Sequence, residues 1–130
     1  MPLIDHIEFA VENIERARAF YERALAPLGV TLLVTIGPNE TRNGGTRLGF
    51  GANEYPSLWL HDHAAPGKVM HVAFEAASRA EVRQFYEEAL AAGGRDNGPP
   101  GIRDHYHSRY YAAFVLDPDG VNVEAVYQGD

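Results

Sequence analysis

The alternation of apolar and polar residues predicts two strand–helix units along the chain. Residues 3–11 and 69–76 alternate with period two, which is typical of a strand with one buried face. Each of these segments is followed by apolar residues at helical spacing, and Asn13 and Ser78 stand where the N-cap of a helix is expected. The other predicted strands are 30–36, 46–50 and 57–61 in the first half, and a short edge strand within 95–108, then 110–116 and 121–127, in the second.

The two units are copies of each other. Residues 6–29 and 71–94 align without a gap at a constant offset of 65, and they agree at ten of 24 positions. The sequence therefore predicts one domain over 1–130, with a first module of about 1–64 and a second of about 65–130. Each module has the order β-α-β-β-β, and the fold class is α+β. A duplicated unit tends to pack about a pseudo-two-fold axis, which would bring equivalent strands close together.

Composition and charge narrow the class of protein. The length of 130 residues and the 45% hydrophobic content fit one compact domain. The absence of cysteine excludes disulfides and thiolate metal sites, so any metal must be bound by His, Asp or Glu. A formal charge of −7 disfavours nucleic acid as a partner and leaves a cationic ligand as a minor alternative. With no apolar run that could span a membrane and no leader, we expect a cytoplasmic protein that binds a small molecule.

The repeat relates four positions that carry candidate metal chemistry. His6 corresponds to His71, and Glu124 in the last strand corresponds to Trp59. Two imidazoles and one carboxylate can bind a divalent ion and leave positions open for water or substrate. The ligand types do not distinguish Fe, Mn, Zn, Ni and Co. The alternative is that each histidine is an ordinary polar residue at the start of a strand.

Other residues form candidate groups for catalysis and for substrate binding. The sequence around 105–111 places two imidazoles and three phenols within seven residues, so it can exchange protons and stack on a planar ligand, or simply cover the sheet edge. The candidates for proton transfer are His105, His107, Glu8 and His61, of which the last is also a candidate fourth ligand. The candidates for substrate contact are Trp59, Tyr110, Tyr111, Arg103 and Asn122.

These motifs resemble the vicinal oxygen chelate superfamily, which includes glyoxalase I, bleomycin-resistance proteins and extradiol dioxygenases. The resemblance rests on DHIEFAV with His6, the RARAFYERALAPLG helix, HVAFE with His71, and AAFVLDPDGVNVEAV with Glu124. It implies two βαβββ modules and a curved mixed sheet that forms a half-barrel around a metal or ligand. It also implies His6, His71 and Glu124 as the metal ligands, and a homodimer. Whether one subunit or two supply the ligands stays open.

The resemblance favours a glyoxalase-like lyase or isomerase that chelates neighbouring substrate oxygens through a divalent metal. The fourth ligand of glyoxalase I would align with Trp59, so we expect three protein ligands. The extradiol dioxygenase motif has a tyrosine where this chain has Phe114, although Tyr110 or Tyr111 could substitute for it. A ring-cleaving dioxygenase is therefore the second interpretation, and a non-catalytic drug-binding or resistance protein is the third.

Overall fold

The computed structural model describes residues 4–67 and 70–129. Leu3 and Val69 in the predicted first strands of the modules, and Lys68 in the predicted linker, lie outside the described residues. The first module consists of β1 Ile7–Ala10, α1 Ile14–Leu25, a 3-10 turn Ala26–Leu28, β2 Thr31–Ile36, a 3-10 turn Pro38–Glu40, β3 Arg47–Gly51 and β4 Leu58–His61. The second consists of β5 His71–Glu75, α2 Arg79–Ala91, β6 Arg95–Asp96, β7 Gly101–Ile102, β8 Tyr111–Leu116 and β9 Asn122–Tyr127.

The strands form two mixed sheets, which confirms the α+β class. The first sheet has the order β1-β4-β3-β2, and the second has β5-β9-β8-β6 with β7 also paired to β8. In each sheet the first strand of the module runs parallel to the last strand, and the other pairs are antiparallel. Within 4–67 and 70–129 no strand pairing joins the two sheets. The expected single curved sheet is therefore two separate sheets, with β1 as an edge strand of the first and β5 as an edge strand of the second.

The offset of the repeat persists in the structure. Helix α1 begins at Ile14 and α2 at Arg79, which is 65 residues later. The strand β2 contains a register shift between Leu32 and Val34. The equivalent stretch of the second module is interrupted at 97–100 and forms the two short strands β6 and β7 instead. Two consecutive prolines in this interruption lack the N–H that a continuous strand would donate to its neighbour.

Both helices begin where the capping residues predict. The Asn13 side chain accepts a hydrogen bond from Arg16 N at 2.9 Å, and the Ser78 hydroxyl accepts one from Glu81 N at 3.1 Å. The Glu81 carboxylate in turn accepts from Ala77 N at 2.8 Å, one residue before the cap. These bonds satisfy backbone donors at the start of each helix that have no partner within it.

One hydrophobic core joins the buried faces of α1 and α2 to strands of both sheets. The largest fully buried side chains of the helices are Phe20, Tyr21, Leu25, Val82 and Phe85. Strand residues whose side chains point towards the helices are equally buried. Among them are Phe50 and Leu60 in the first sheet and Val115 and Val123 in the second. The residues between them point to the opposite faces of the sheets. Those polar faces carry the candidate functional residues.

The turn Asp117-Pro118-Asp119-Gly120 connects the second module to the first helix. Gly120 N donates to Asp117 O at 2.9 Å, as expected for a type I turn. The buried Asp117 carboxylate accepts a hydrogen bond from the Tyr21 hydroxyl at 2.6 Å and also bonds from Asp119 N and Val121 N at 2.8 Å. Burial is the main factor that raises the pKa of Tyr21 well above its ordinary value, and it also raises the pKa of Asp117. The turn therefore fixes the start of β9, which carries Glu124.

Candidate metal and substrate site

The polar face of the second sheet brings His71 and Glu124 together. The parallel pairing of β5 and β9 puts His71 opposite Asn122 and Ala73 opposite Glu124. The His71 ring donates from Nδ1 to the Asn122 carbonyl at 2.9 Å, and its Nε2 lies 3.0 Å from Glu124 Oε1. A carbonyl oxygen only accepts, so Nδ1 carries a proton. In the neutral ring Nε2 therefore presents its lone pair to the carboxylate.

The Glu124 carboxylate is almost fully buried, with 2% of its surface exposed. Its Oε2 accepts a hydrogen bond from the Tyr110 hydroxyl at 2.5 Å. Its only ion-pair partner in the described chain is the His71 ring. Nε2 and Oε1 lie 3.0 Å apart, a distance that a hydrogen bond spans when one of the two groups carries a proton, and both atoms can also serve as ligands of a metal ion. The donor set thus fits a divalent ion bound by one imidazole and one carboxylate oxygen.

Tyr110 is held beside Glu124 by aromatic contacts. Its ring centroid lies 4.6 Å from that of Tyr106 and 5.6 Å from that of His107. Burial, followed by the hydrogen bond to Glu124, raises the pKa of Tyr110 well above its ordinary value, so the hydroxyl stays protonated and donates. Tyr110 therefore contacts the proposed metal ligand directly, which its predicted role in substrate binding did not anticipate.

Phe114 and Arg103 stack beside the His71–Glu124 pair. The Phe114 ring lies 6.2 Å from the His71 ring at an interplanar angle of 27°, and the Arg103 guanidinium lies 5.2 Å from the Phe114 ring centroid. Arg103 also donates to Pro99 O at 2.7 Å and to Gly101 O at 2.9 Å. In this structure Arg103, a predicted substrate contact, thus organises the loop between β6 and β8.

The polar face of the first sheet carries an aromatic and charged group. The Trp59 ring lies so close to Gly49 that a Cβ there would be 2.9 Å from two ring atoms. The Arg47 guanidinium sits 4.4 Å from the Trp59 ring centroid. Glu8 accepts two hydrogen bonds from Arg47, at 2.9 and 3.2 Å. Sequence reasoning missed Arg47, although its place two residues before Gly49 in a strand put it on the same face as Trp59.

His61 extends this group towards the loop after β4. Its ring stacks on His63 with 3.8 Å between centroids, and its Nδ1 is a buried atom without a hydrogen-bond partner in the described structure. Burial first, and then the neighbouring His63, lowers the pKa of His61 below the ordinary 6.5. The ring is therefore neutral at pH 7, and its unpartnered nitrogen is enclosed by protein.

His6 is separate from the His71–Glu124 pair. Its side chain is 56% exposed, and its Nδ1 donates to Asp5 Oδ1 at 2.8 Å. His6 and His71 both line one cavity of about 370 Å³, together with residues of β1 and β5. Across the residues that the structure covers, however, no group of three His, Asp or Glu side chains is placed to hold a metal. The three-ligand set of His6, His71 and Glu124 stays a prediction.

The remaining candidates lie further from the pair. His107 donates from Nε2 to Gln128 Oε1 at 2.8 Å and accepts at Nδ1 from Arg109 N at 3.1 Å, so both ring nitrogens are occupied. The His105 ring contacts the Tyr106 ring in a tilted arrangement, with 4.2 Å between the ring centroids. Tyr111 faces α2, where Arg79 lies 4.9 Å from its ring, and so is not in the group around Glu124. The Asn122 side chain accepts from Asn97 Nδ2 at 3.3 Å.

Comparison with protein families identifies the class of this arrangement. The model of the Glyoxalase/Bleomycin resistance protein/Dioxygenase superfamily matches residues 3–125. The chain belongs to this superfamily. Membership agrees with the duplicated βαβββ plan that the resemblance implies. No curated protein sequence matches the chain. Among the described residues, neither helix has the length and apolarity that a membrane crossing needs.

Solved structures of other superfamily members share the fold. A glyoxalase/bleomycin resistance protein from Albidiferax ferrireducens T118 is 22% identical, with a TM-score of 0.74 over 98% of this chain and 100% of its own. A domain of the same superfamily from Frankia sp. EAN1pec is 16% identical, with a TM-score of 0.74 over 99% of both chains. The E144Q mutant of glyoxalase I from Zea mays is 26% identical, with a TM-score of 0.75. The alignment covers 98% of this chain but 47% of the maize protein, so the chain spans about half its length.

Proposed function

We propose that this protein is a divalent-metal-dependent lyase or isomerase of the glyoxalase type that acts on a small molecule with two neighbouring oxygen atoms. His71, Glu124 and His6 would hold the metal. The observation that carries the proposal is the His71–Glu124 pair, in which His71 Nε2 and an oxygen of the buried Glu124 carboxylate face each other at 3.0 Å. A pair of this kind is stable only with a positive charge or a proton between its atoms.

The surroundings of the pair support a metal ligand set. The Asn122 carbonyl fixes the His71 ring by accepting from Nδ1, which is how ligand histidines are commonly oriented. When bound, the metal would supply Lewis-acid chemistry, since it would polarise the chelated substrate oxygens and stabilise negative charge that develops on them. The protein side chains would orient the substrate and move its proton.

We also propose that a homodimer completes the site. His6 is exposed and lies next to β1, at the edge of the first sheet, while His71 lies on β5, at the edge of the second. Exposed strand edges offer backbone groups for pairing with another chain. Ile4 and Tyr55 add exposed apolar surface close to β1, at 62% and 53% exposure. In this arrangement the His6 ligand would come from one subunit and the His71–Glu124 pair from the other.

Proton transfer is assigned to His61. Glu8 is held by Arg47 and both nitrogens of His107 are engaged, whereas the His61 ring is neutral at pH 7. A neutral imidazole accepts a proton from carbon next to a carbonyl and returns it to a neighbouring atom. Trp59 and Arg47 would contact the substrate on the same face of the sheet.

Phe114 distinguishes the proposed lyase or isomerase from a ring-cleaving dioxygenase. Phe114 stands where the dioxygenase motif has its tyrosine, and it lies opposite Glu124 in the β8–β9 register. It has no hydroxyl to exchange a proton, and the nearby Tyr110 hydroxyl is bonded to Glu124. This favours chemistry in which the proton is moved from the opposite wall of the site.

Metal binding by purified variants tests the proposal. We expect one metal per chain in the wild type, and its loss in His71→Ala, Glu124→Gln and His6→Ala, with Asp5→Asn as a control that keeps the His6 imidazole. Mixing His6→Ala with Glu124→Gln subunits would restore one complete site in each mixed dimer if the site is shared. A wild type that binds no metal would indicate a metal-free binding protein, and metal that is retained by all three variants would be bound at another site. Either result would refute the proposed enzyme.

A further inference from the structure

We propose that Tyr110 is the positioning residue of the metal site and that its hydroxyl holds Glu124 Oε2, so that the carboxylate offers only Oε1 to the metal. This inference rests on the proposed function in one respect, the identity of Glu124 as a ligand. It assigns to Tyr110 a role that acts through Glu124 and requires no contact with the substrate.

The geometry of the carboxylate supports this assignment. Oε1 faces His71 Nε2 at 3.0 Å, and Oε2 accepts from the Tyr110 hydroxyl at 2.5 Å, so the two oxygens have separate partners. A carboxylate with both oxygens free can rotate about its terminal bond and bind a metal through one oxygen or two. The bond to Tyr110 removes that freedom before a metal arrives, because a partly buried phenol hydroxyl is a strong neutral donor to a carboxylate.

The loop before β8 fixes the position of the hydroxyl. Arg103 N donates to Tyr110 O at 2.8 Å, and Tyr110 N donates to His107 O at 3.2 Å, so the backbone of Tyr110 is bonded on both sides. Its ring is packed against Tyr106 and His107. The bond from His107 to Gln128 attaches this loop to the end of β9, the strand that bears Glu124. The loop that carries the Tyr110 hydroxyl is thereby hydrogen-bonded to the end of the strand that carries Glu124.

The repeat supplies independent support. Subtracting the offset of 65 from Tyr110 gives Gly45, and from Glu124 gives Trp59. At Gly45 a Cβ would lie 2.8 Å from Asp62 Oδ1 and 2.9 Å from His63 Cβ, so the first module has no room for a side chain there. The module without the carboxylate thus also lacks the hydroxyl. The two groups occur together in the second module only, as expected if they work as a pair.

The test compares Tyr110→Phe with Tyr111→Phe. Tyr110→Phe keeps the ring and its packing and removes only the oxygen, while Tyr111→Phe makes the same change in a residue that faces α2. Co²⁺ binding by calorimetry and the visible spectrum of bound Co²⁺ are measured, with thermal unfolding as a check on the fold. We expect Co²⁺ affinity to fall by about 10- to 100-fold in Tyr110→Phe, with a changed spectrum, and neither to change in Tyr111→Phe.

Crystal structures of metal-free wild type and Tyr110→Phe separate this inference from the proposed function. We expect the Glu124 carboxylate to rotate, or its Oε1 to leave His71 Nε2, once the hydroxyl is gone. An unchanged carboxylate, or unchanged Co²⁺ affinity and spectrum in a folded Tyr110→Phe protein, would overturn the role of Tyr110. A wild type that binds no Co²⁺ would refute the proposed function instead, while the rotation of Glu124 would still decide whether Tyr110 positions it. Should Tyr110→Phe not fold, the same measurements on His107→Ala, which releases the loop from Gln128, replace it with the same expected direction.

Discussion

The two modules share one backbone plan and differ on their polar faces. At facing positions of the last two strands of each module, the first module has Gly49 paired with Trp59, and the second has Phe114 paired with Glu124. The large side chain is thus on the last strand of the first module and on the neighbouring strand of the second. Glycine at position 49 makes room for the Trp59 indole ring in the first module, whereas in the second module the Phe114 side chain is paired with Glu124.

The comparison teaches that different constraints act on the two faces of each sheet. The helix-facing positions stay apolar in both copies, because together they form one core around α1 and α2. The polar faces are free to diverge. The polar face of the second sheet carries the proposed metal-ligand pair, and that of the first sheet carries a group of Trp59, Arg47 and Glu8 suited to hold a substrate. If the modules have divided their tasks in this way, equivalent substitutions in the two copies will have different effects.

The largest expected difference is between Glu124 and its repeat equivalent Trp59. Glu124→Gln keeps the size of the side chain and removes its charge, so we expect metal affinity to fall by more than about 100-fold, since loss of a ligand exceeds the loss of a residue that only orients one. Trp59→Phe should leave metal affinity unchanged and raise the KM of the substrate. Calorimetry with Zn²⁺ measures the first effect, and equal metal binding by both variants would contradict the division of tasks.

A second comparison sets Tyr21 against its repeat equivalent Tyr86. Tyr21→Phe removes the hydrogen bond to the buried Asp117 carboxylate and should lower the free energy of unfolding by about 1.5–3 kcal/mol at pH 7. Tyr86→Phe, at a partly exposed position, should change it by less than about 0.5 kcal/mol. Urea unfolding of the two variants measures both values.

The same variants give a pH dependence. Burial raises the pKa of Tyr21 above its unfolded value of about 10. A tyrosine with a raised folded pKa stabilises the protein fully below the unfolded pKa, and this contribution is lost as the pH rises through the folded pKa. The wild type should therefore lose stability above about pH 10, and the gap between wild type and Tyr21→Phe should narrow there. A gap that stays constant well above about pH 10 would show that Tyr21 is not shielded as the structure indicates.

The repeat-equivalent glycines Gly29 and Gly94 resist substitution for different reasons. Gly29 has φ of 77°, and no atom would lie within 4 Å of a Cβ added there, so Gly29→Ala should cost about 1–2 kcal/mol through backbone conformation alone. At Gly94 a Cβ would lie 2.5 Å from Val115 and 2.7 Å from Phe20, so Gly94→Ala should cost about 1–3 kcal/mol through crowding of the core.

A second substitution distinguishes these two causes. Gly29→Asn should be better tolerated than Gly29→Ala, because asparagine adopts the left-handed conformation more readily. In contrast, Gly94→Asn should be worse than Gly94→Ala, because the larger side chain meets the same neighbours. Thermal unfolding of the four variants gives the order, and a parallel ranking at the two sites would mean that one cause explains both.

The smallest expected effect on stability concerns the Arg47–Glu8 pair of the first module. Arg47→Lys keeps the charge but loses the two-point contact with Glu8 and the flat stack on Trp59, so we expect stability to fall by less than about 1 kcal/mol. If the pair serves the substrate, KM should rise while metal affinity stays constant. A change in metal affinity without a change in KM would place this pair in the metal site instead.

Much of the fold was predictable from the sequence because the repeat is local and regular. The caps at Asn13 and Ser78, the strand periodicity and the turn before β9 each follow from a few neighbouring residues. The correspondence of Glu124 with Trp59 also follows from arithmetic on the repeat. The division of residues 95–102 into two short strands was only partly anticipated, since the position of the break depends on pairing with β8.

The candidate site was less predictable because its contacts join residues that the chain separates widely. The separation of His6 from the His71–Glu124 pair depends on how two sheets are oriented by their helices, and no sequence pattern encodes that orientation. The bond from Tyr110 to Glu124 depends on the conformation of the loop that precedes β8. The Arg47 stack on Trp59 depends on the register of β3 with β4. A shift of that register by one residue would place the two side chains on opposite faces of the sheet.

The most direct test of the central claim is a crystal structure grown with Zn²⁺, with the metal located by its anomalous scattering. The account predicts one strong peak per chain, bonded to His71 Nε2 and Glu124 Oε1 at about 2.0–2.2 Å, with a third protein bond from the His6 imidazole of the second subunit. A peak at another site, or a well-ordered crystal in which His71 and Glu124 remain in direct contact without metal, would contradict it.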